Sequence, residues 1–256
     1  MKTIIPVSFC LISLTSLAQL KPIDSNVFHW ADFEIQPNKD REIRPIIKGT
    51  CSHFSYLEIY AATQTKGSKF KREDANENVE ELVIIKEGKA KVTFGSAHAI
   101  LGQAGVALIS PREPYTLENI GSGPLTYYVM RYESDKSTNH NPTPSAVNFL
   151  ALNKDSLQFK LNGKGGTRAY FNRPTVMCEN LEIQVVQRIN KGLNHEPRKY
   201  IDNEIILVMA GATEMDIEGK NYFGSTGDLY FIKSYDQHDI GNATEEPCTY
   251  FSIRWR

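Results

Sequence analysis

Glu204-Ile205-Ile206-Leu207-Val208-Met209-Ala210-Gly211 has a forerunner in the same chain, Glu81-Leu82-Val83-Ile84-Ile85-Lys86-Glu87-Gly88. Both read Glu-x6-Gly, an apolar run of strand length closed by glycine. The glutamates are 123 residues apart (204 − 81 = 123). The same offset relates Gly88 to Gly211, Asn119 to Asn242, Pro124 to Pro247, Thr126-Tyr127 to Thr249-Tyr250, and Arg131 to Arg254. One offset surviving at so many positions means two copies of one folding unit. A polar inward position where the copies differ then marks a change of chemistry in one of them.

Strand signals surround both runs. Residues 54–60 alternate and are rich in β-formers, and 82–85, 91–94, 106–109 and 125–131 follow. The second half repeats the series at 181–186, 205–209, 213–217, 229–232 and 248–254. Short strands at close spacing, separated by Gly, Pro and Asn, predict an all-β chain of antiparallel sandwiches or barrels. No stretch carries sustained helical periodicity. The polar, proline-containing run within 135–145 reads as a linker or surface crossover. The expected division is a signal peptide over 1–19, a first barrel over 28–134, a linker and crossover over 135–169, and a second barrel over 170–256. Residues 148–166 are expected to pack across the junction, and 22–48 to do the same ahead of the first barrel.

The 256 residues are 41% hydrophobic and 23% charged, with a net charge of −1, so there is no electrostatic reason to expect nucleic acid or an anionic membrane as partner. Met1-Lys2, the apolar run from Ile4 to Leu17, and Ser16-Leu17-Ala18 resemble a secretory signal peptide cut near Ala18 or Gln19. The run is too short to span a bilayer comfortably, so the mature chain is expected to be periplasmic or secreted without membrane insertion. Export leaves Cys51, Cys178 and Cys248, an odd number that makes neither a disulfide framework nor a zinc knuckle. Cys178 and Cys248 are the better pair for a single bridge, and buried free thiols are the alternative.

Chemistry concentrates in the second half, where Gly227-Asp228-Leu229-Tyr230-Phe231 leads to His238-x3-Asn242. With Glu204…Gly211 this arrangement resembles the two motifs of the cupin superfamily. The duplication makes the chain resemble a bicupin of two tandem jelly-roll barrels over roughly 28–256. Residues 170–175 (Tyr-Phe-Asn-Arg-Pro-Thr) and 247–251 (Pro-Cys-Thr-Tyr-Phe) resemble the bacterial bicupins akin to ureidoglycine aminohydrolases. The resemblance implies a metal site within the barrel, made by a His-x-His pair ahead of the glutamate, the glutamate itself, and a histidine of the second motif. Such nitrogen and oxygen ligands suit Mn, Fe, Ni, Cu or Zn. It also implies small nitrogenous or carboxylated metabolites, with hydrolysis or deamination as the reaction.

The sequence departs from that pattern. Tyr200 and Arg198 stand where the histidine pair is expected, so only Glu204 and His238 match. In the first copy the corresponding positions are Glu77, Ala75 and Glu81, with Tyr115 in place of His238, which leaves no imidazole. The candidate metal ligands are therefore Glu204, His238 and, nine residues before the glutamate, His195, for one ion such as Mn, Zn, Ni or Fe. Against this, a guanidinium cannot be deprotonated, and Arg198 facing inward would repel a cation or pair with Glu204 in its place. The residue types favour a metal-free pocket in which Arg198 anchors a ligand carboxylate beside Tyr200 and Glu204 with His238 acts as an acid–base pair. The alternative is a degenerate, non-catalytic binding or structural protein. His29, His53, His98 and His140 are expected at edges, turns or the linker, and Gly163-Lys164-Gly165-Gly166 reads as a turn. Two barrels in one chain also lessen the need for a dimer.

Overall fold

The computed structural model describes residues 20–38, 40–72, 78–136 and 149–256. The expected signal peptide, Ala75, Glu77 and His140 lie outside the described residues. The first copy contributes β1 (Asn26–Phe28), β2 (Gln36–Asn38), β3 (Arg41–Cys51), β4 (Phe54–Gln64), β5 (Lys69–Arg72), β6 (Glu80–Glu87), β7 (Ala90–Phe94), β8 (Ala97–Leu101), β9 (Val106–Ile109), β10 (Tyr115–Asn119) and β11 (Leu125–Ser134). The second follows the same order with β12 (Phe149–Leu152), β13 (Lys160–Asn162), β14 (Gly165–Arg173), β15 (Leu181–Arg188), β16 (Gly192–Leu193), β17 (Asn203–Ala210), β18 (Ala212–Ile217), β19 (Lys220–Ser225), β20 (Leu229–Ile232), β21 (His238–Asn242) and β22 (Cys248–Trp255). The all-β expectation holds. Each barrel faces a seven-stranded sheet against a four-stranded one.

The two Glu-x6-Gly runs are continuous apolar strands because both of their faces are buried. In β6, Leu82 and Ile84 enter a core shared by the two barrels, while Val83 and Ile85 point into the first barrel's own interior. In β17, Ile205, Leu207 and Met209 join the shared core, while Ile206 and Val208 line the second barrel. The shared core is aromatic at its centre: Phe54 stacks on Trp255 at 5.3 Å and on Tyr132 at 4.7 Å. Strand alternation then fixes Glu81 and Glu204 on the inward faces.

Several repeated residues hold turns. Gly88 and Gly211 have φ of +90° and +76°, and a Cβ on either would lie 2.6 Å from the carbonyl oxygen of Pro124 or Pro247. Asn119 and Asn242 donate through Nδ2 to the carbonyls of Gly123 and Glu246, both at 2.9 Å. Much of the surviving repeat is thus conformational.

The repeat unit starts earlier than its sequence suggests, and its first strand is exchanged. β1 pairs with β20 of the second barrel, and β12 pairs with β9 of the first. Asn26 opposite Phe231 corresponds to Leu150 opposite Leu108, since 150 − 26 = 124 and 231 − 108 = 123. The segment expected as crossover therefore carries strands, and Gly165-Gly166 begins β14 rather than a free turn. These strands are only three or four residues long, too short for alternation to reveal. Clamps cross the same junction. Glu80 accepts hydrogen bonds from Thr175 Oγ1 at 2.6 Å and from the amides of Val176 and Met177 at 3.3 Å. Its counterpart Asn203 donates to the carbonyl of Ser52 at 2.9 Å.

The three described cysteines are free thiols. Cys178 belongs to the shared core and Cys248 to the second barrel's interior, which separates the expected pair. Among the described residues no helix is long and apolar enough to cross a membrane.

Reciprocal exchange makes each half incomplete alone. Chains ending at 140 and beginning at 141, expressed together, are expected to co-purify as one particle, and each expressed alone to be insoluble. A soluble, monomeric half that melts cooperatively would count against the exchange.

Candidate functional site

β17, β22 and β15 carry the inward residues of the second barrel. Glu204 lies directly across from Arg254 in the β17–β22 ladder, and Ile206 across from Ser252. Opposite residues on one face are the units of side-chain pairing in a sheet. Arg254 Nε stands 3.1 Å from Glu204 Oε1, which also accepts from Ser252 Oγ at 2.6 Å. The other oxygen, Oε2, lies 3.0 Å from His238 Nε2. Tyr200 covers the group: its ring centroid is 5.3 Å from that of His238 and 4.8 Å from the Arg254 guanidinium carbon. Arg188, His195, Asp239 and Tyr250 complete a cavity of about 70 Å³, room for a few waters.

The protonation state follows from the partners. His238 Nδ1 lies 2.8 Å from the carbonyl oxygen of Asp236, a group that only accepts, so Nδ1 carries a proton. Nε2 faces the carboxylate. Burial pulls the imidazole down, but the hydrogen bond and charge of Glu204 outweigh it and raise His238 above its ordinary 6.5. Burial pushes Glu204 up, yet the His238 hydrogen bond and the Arg254 charge bring it below its ordinary 4.5. The pairing favours the imidazolium and carboxylate form, in which both ring nitrogens donate.

The first barrel repeats this plan with other residues. Glu81 Oε1 accepts from Arg131 Nε at 3.0 Å, and Oε2 accepts from Tyr115 at 2.8 Å. Arg72 adds a second cation, with Nη1 at 3.6 Å from Oε1.

These residues do not fit a transition-metal site. One carboxylate and one imidazole are spent on each other, and a guanidinium adjoins the carboxylate. Among the described residues no group of three or more His, Cys, Asp or Glu could hold an ion. His195 is engaged elsewhere: its amide donates to Asp239 Oδ2 at 2.9 Å, and its Nδ1 lies 2.8 Å from the carbonyl of Glu196.

Of the residues singled out from the sequence, Glu204, His238, Tyr200 and His195 line one cavity. Arg198 does not line it. Arg198 is exposed, and its backbone pairs with that of His238 at 3.0 Å in both directions. The arginine on Glu204 is Arg254, and Arg188 and Ser252 join it in the cavity wall. The repeat pointed to this residue, because Arg131 and Arg254 share the 123-residue offset of the glutamates they pair with. His29 is also more than an edge residue, since its Nδ1 lies 3.0 Å from Asp228 Oδ2. His98 falls within β8.

Residues 185–254 match the family model described as Cupin domain, a window that holds Glu204, His238 and Arg254. These findings support the cupin superfamily. Solved structures resemble this cupin fold over most of its length. AerE from Microcystis aeruginosa is 12% identical, with a TM-score of 0.66 over 88% of this chain and 98% of that one. The oxalate decarboxylase of Lactobacillus farciminis, in a formate complex, is 12% identical, with a TM-score of 0.70 over 91% and 87%. Protein Ylba from E. coli is 12% identical, with a TM-score of 0.69 over 94% and 95%. At such identities the likeness is one of fold. No curated protein matches the sequence.

The charged pair has a defined pH window. The raised His238 contributes stability below its ordinary value and loses it as pH rises through the raised one; the lowered Glu204 contributes above its ordinary value and loses it as pH falls through the lowered one. The NMR titration midpoint of His238 is expected above 6.5 in the native protein. In Glu204→Gln it should fall from the wild-type value, because burial and Arg254 then pull it down against the Asp236 carbonyl hydrogen bond without the glutamate's charge. A midpoint unmoved by the substitution would overturn the pairing.

Proposed function

We propose that this chain is an exported bicupin whose second barrel holds a small, carboxylate-bearing metabolite. The observation that carries the reading is a buried Glu204–His238 pair in a polar cavity that also presents the guanidinium side chains of Arg188 and Arg254. Arg188, Arg254 and His238 face two carboxylates, Glu204 and Asp239, which leaves cationic character for a ligand carboxylate, whose fork geometry guanidinium groups suit. Arg254 and Arg188 take the anchoring role that the sequence suggested for Arg198. His238, protonated on Nε2, can hand that proton to a departing amine, and Glu204 can take one from an attacking water. That proton traffic belongs to a hydrolysis or deamination of the kind implied by the resemblance to ureidoglycine aminohydrolases. The cavity of about 70 Å³ admits only a ligand of a few heavy atoms without rearrangement.

The small cavity and the full set of partners on Glu204 also favour a second reading, a binding or structural cupin without turnover.

Metal analysis and calorimetry test the site together. The purified protein is expected to carry no stoichiometric Mn, Zn, Ni or Fe and to bind formate or acetate saturably. Arg188→Gln should weaken that binding about tenfold, the effect of one charged hydrogen bond. A stoichiometric metal that disappears in His238→Ala would overturn the metal-free site. Mass spectrometry of the periplasmic or secreted protein is expected to show a mature N-terminus near Gln19.

A further inference from the structure

The pseudo-symmetry of the two copies exposes a second site, outside both barrels. In the first copy, Trp30, Ile35, Arg44, Ala61 and Thr63 line a crevice of only about 20 Å³. Adding 124 to each number gives Lys154, Phe159, Arg168, Val185 and Gln187, and these five line a cleft of about 360 Å³. The size of that cleft falls within the ordinary range for small-molecule sites, roughly 300–1,000 Å³.

The difference goes with exchanges at two positions, Trp30 and Lys86. Trp30 fills the first crevice: the Arg44 guanidinium lies 4.5 Å from its ring centroid and Lys86 Nζ 5.0 Å from it. Arg44 Nη1 also donates to the carbonyls of Trp30, at 3.0 Å, and Phe33. In the second copy a lysine, Lys154, replaces the tryptophan (154 − 30 = 124), and Met209 replaces Lys86 (209 − 86 = 123). The arginine remains as Arg168 with different company. Its guanidinium lies 4.7 Å from the Phe159 ring centroid, and its buried Nε has no hydrogen-bond acceptor among the described residues. Phe159 is itself fixed against Gly166, where a Cβ would come within 2.5 Å of its ring. No acidic side chain lines the cleft among the described residues.

A cleft with two cations, a buried guanidinium N–H lacking an acceptor, and apolar walls from Val185, Met209 and Phe159 is complementary to an anion with an apolar body. We infer that this cleft between the two barrels binds an organic monocarboxylate, with its carboxylate between Lys154 and Arg168 and its apolar part against Met209 and Val185. The site is separate from the Glu204–His238 cavity and does not depend on what that cavity does.

Benzoate, acetate and inorganic phosphate serve as probes, titrated calorimetrically into the full mature chain and into four variants. Benzoate is expected to bind saturably and at least tenfold more tightly than acetate. Lys154→Trp, which recreates the first copy's filling, should abolish benzoate binding. Arg168→Gln should weaken it about 10- to 100-fold, as loss of a charged hydrogen bond does. His238→Gln should leave it unchanged. Should Lys154→Trp not fold, Arg168→Lys gives the same reading, since it keeps the charge and loses the fork, with about tenfold weakening expected. The inference is overturned if benzoate does not saturate, if phosphate binds more tightly than benzoate, or if binding responds to His238→Gln and not to the cleft variants.

Discussion

A carboxylate carried into the interior of a β-barrel must be neutralised where it stands, and in this chain a cross-strand arginine does so twice. Glu81 and Glu204 sit inward because their strands are buried on both faces and alternate. The final strand of each copy then places Arg131 or Arg254 directly opposite. Leaving either carboxylate ionised and unpaired would cost several kcal/mol. Everything else at the two sites is arranged around that pair. The first barrel completes it with Arg72 and Tyr115, neither of them an imidazole, the side chain suited to titration near neutral pH. The second completes it with His238 and Ser252, and so retains one group that titrates there.

This arrangement explains how a cupin barrel can keep its glutamate while its other donors differ from a metal-binding set. A metal ion supplies positive charge at the centre of such a donor group. Here a guanidinium supplies it from the neighbouring strand, and the imidazole hydrogen-bonds the other carboxylate oxygen. The glutamate retains a structural reason to exist with or without a bound ion. A surviving Glu-x6-Gly is thus weak support for metal chemistry when an arginine lies opposite it.

The barrels were legible in the sequence because apolar strands bounded by glycine and proline recur at a fixed offset, and the same residues hold the same turns. Glu204, His238, Tyr200 and His195 were also legible, since ligand spacing placed them together. Arg198 was misleading. Counting back from a glutamate assumes a regular strand, whereas β16 spans only Gly192–Leu193 and Arg198 joins β21 through an isolated bridge. Arg254 was visible as a repeated residue, but a repeat alone does not say which strand face it occupies. The exchange of β1 and β12 was not legible at all. Three- and four-residue strands carry too little pattern, and their partners lie in the other half of the chain.

That exchange imposes an order on the chain during synthesis. β9 can form early, but the strand that covers its edge, β12, is made some forty residues later (149 − 109 = 40). β1 is among the first strands made and must wait for β20, roughly two hundred residues on (229 − 28 = 201). Until then its partner does not exist and β1 stays unpaired, while the first barrel's own edge at β9 is open until β12 is made; unpaired strand edges of this kind invite intermolecular pairing. A protein built this way is exposed to misassembly for nearly the whole time it takes to translate, and its two halves reach their final form only as a pair.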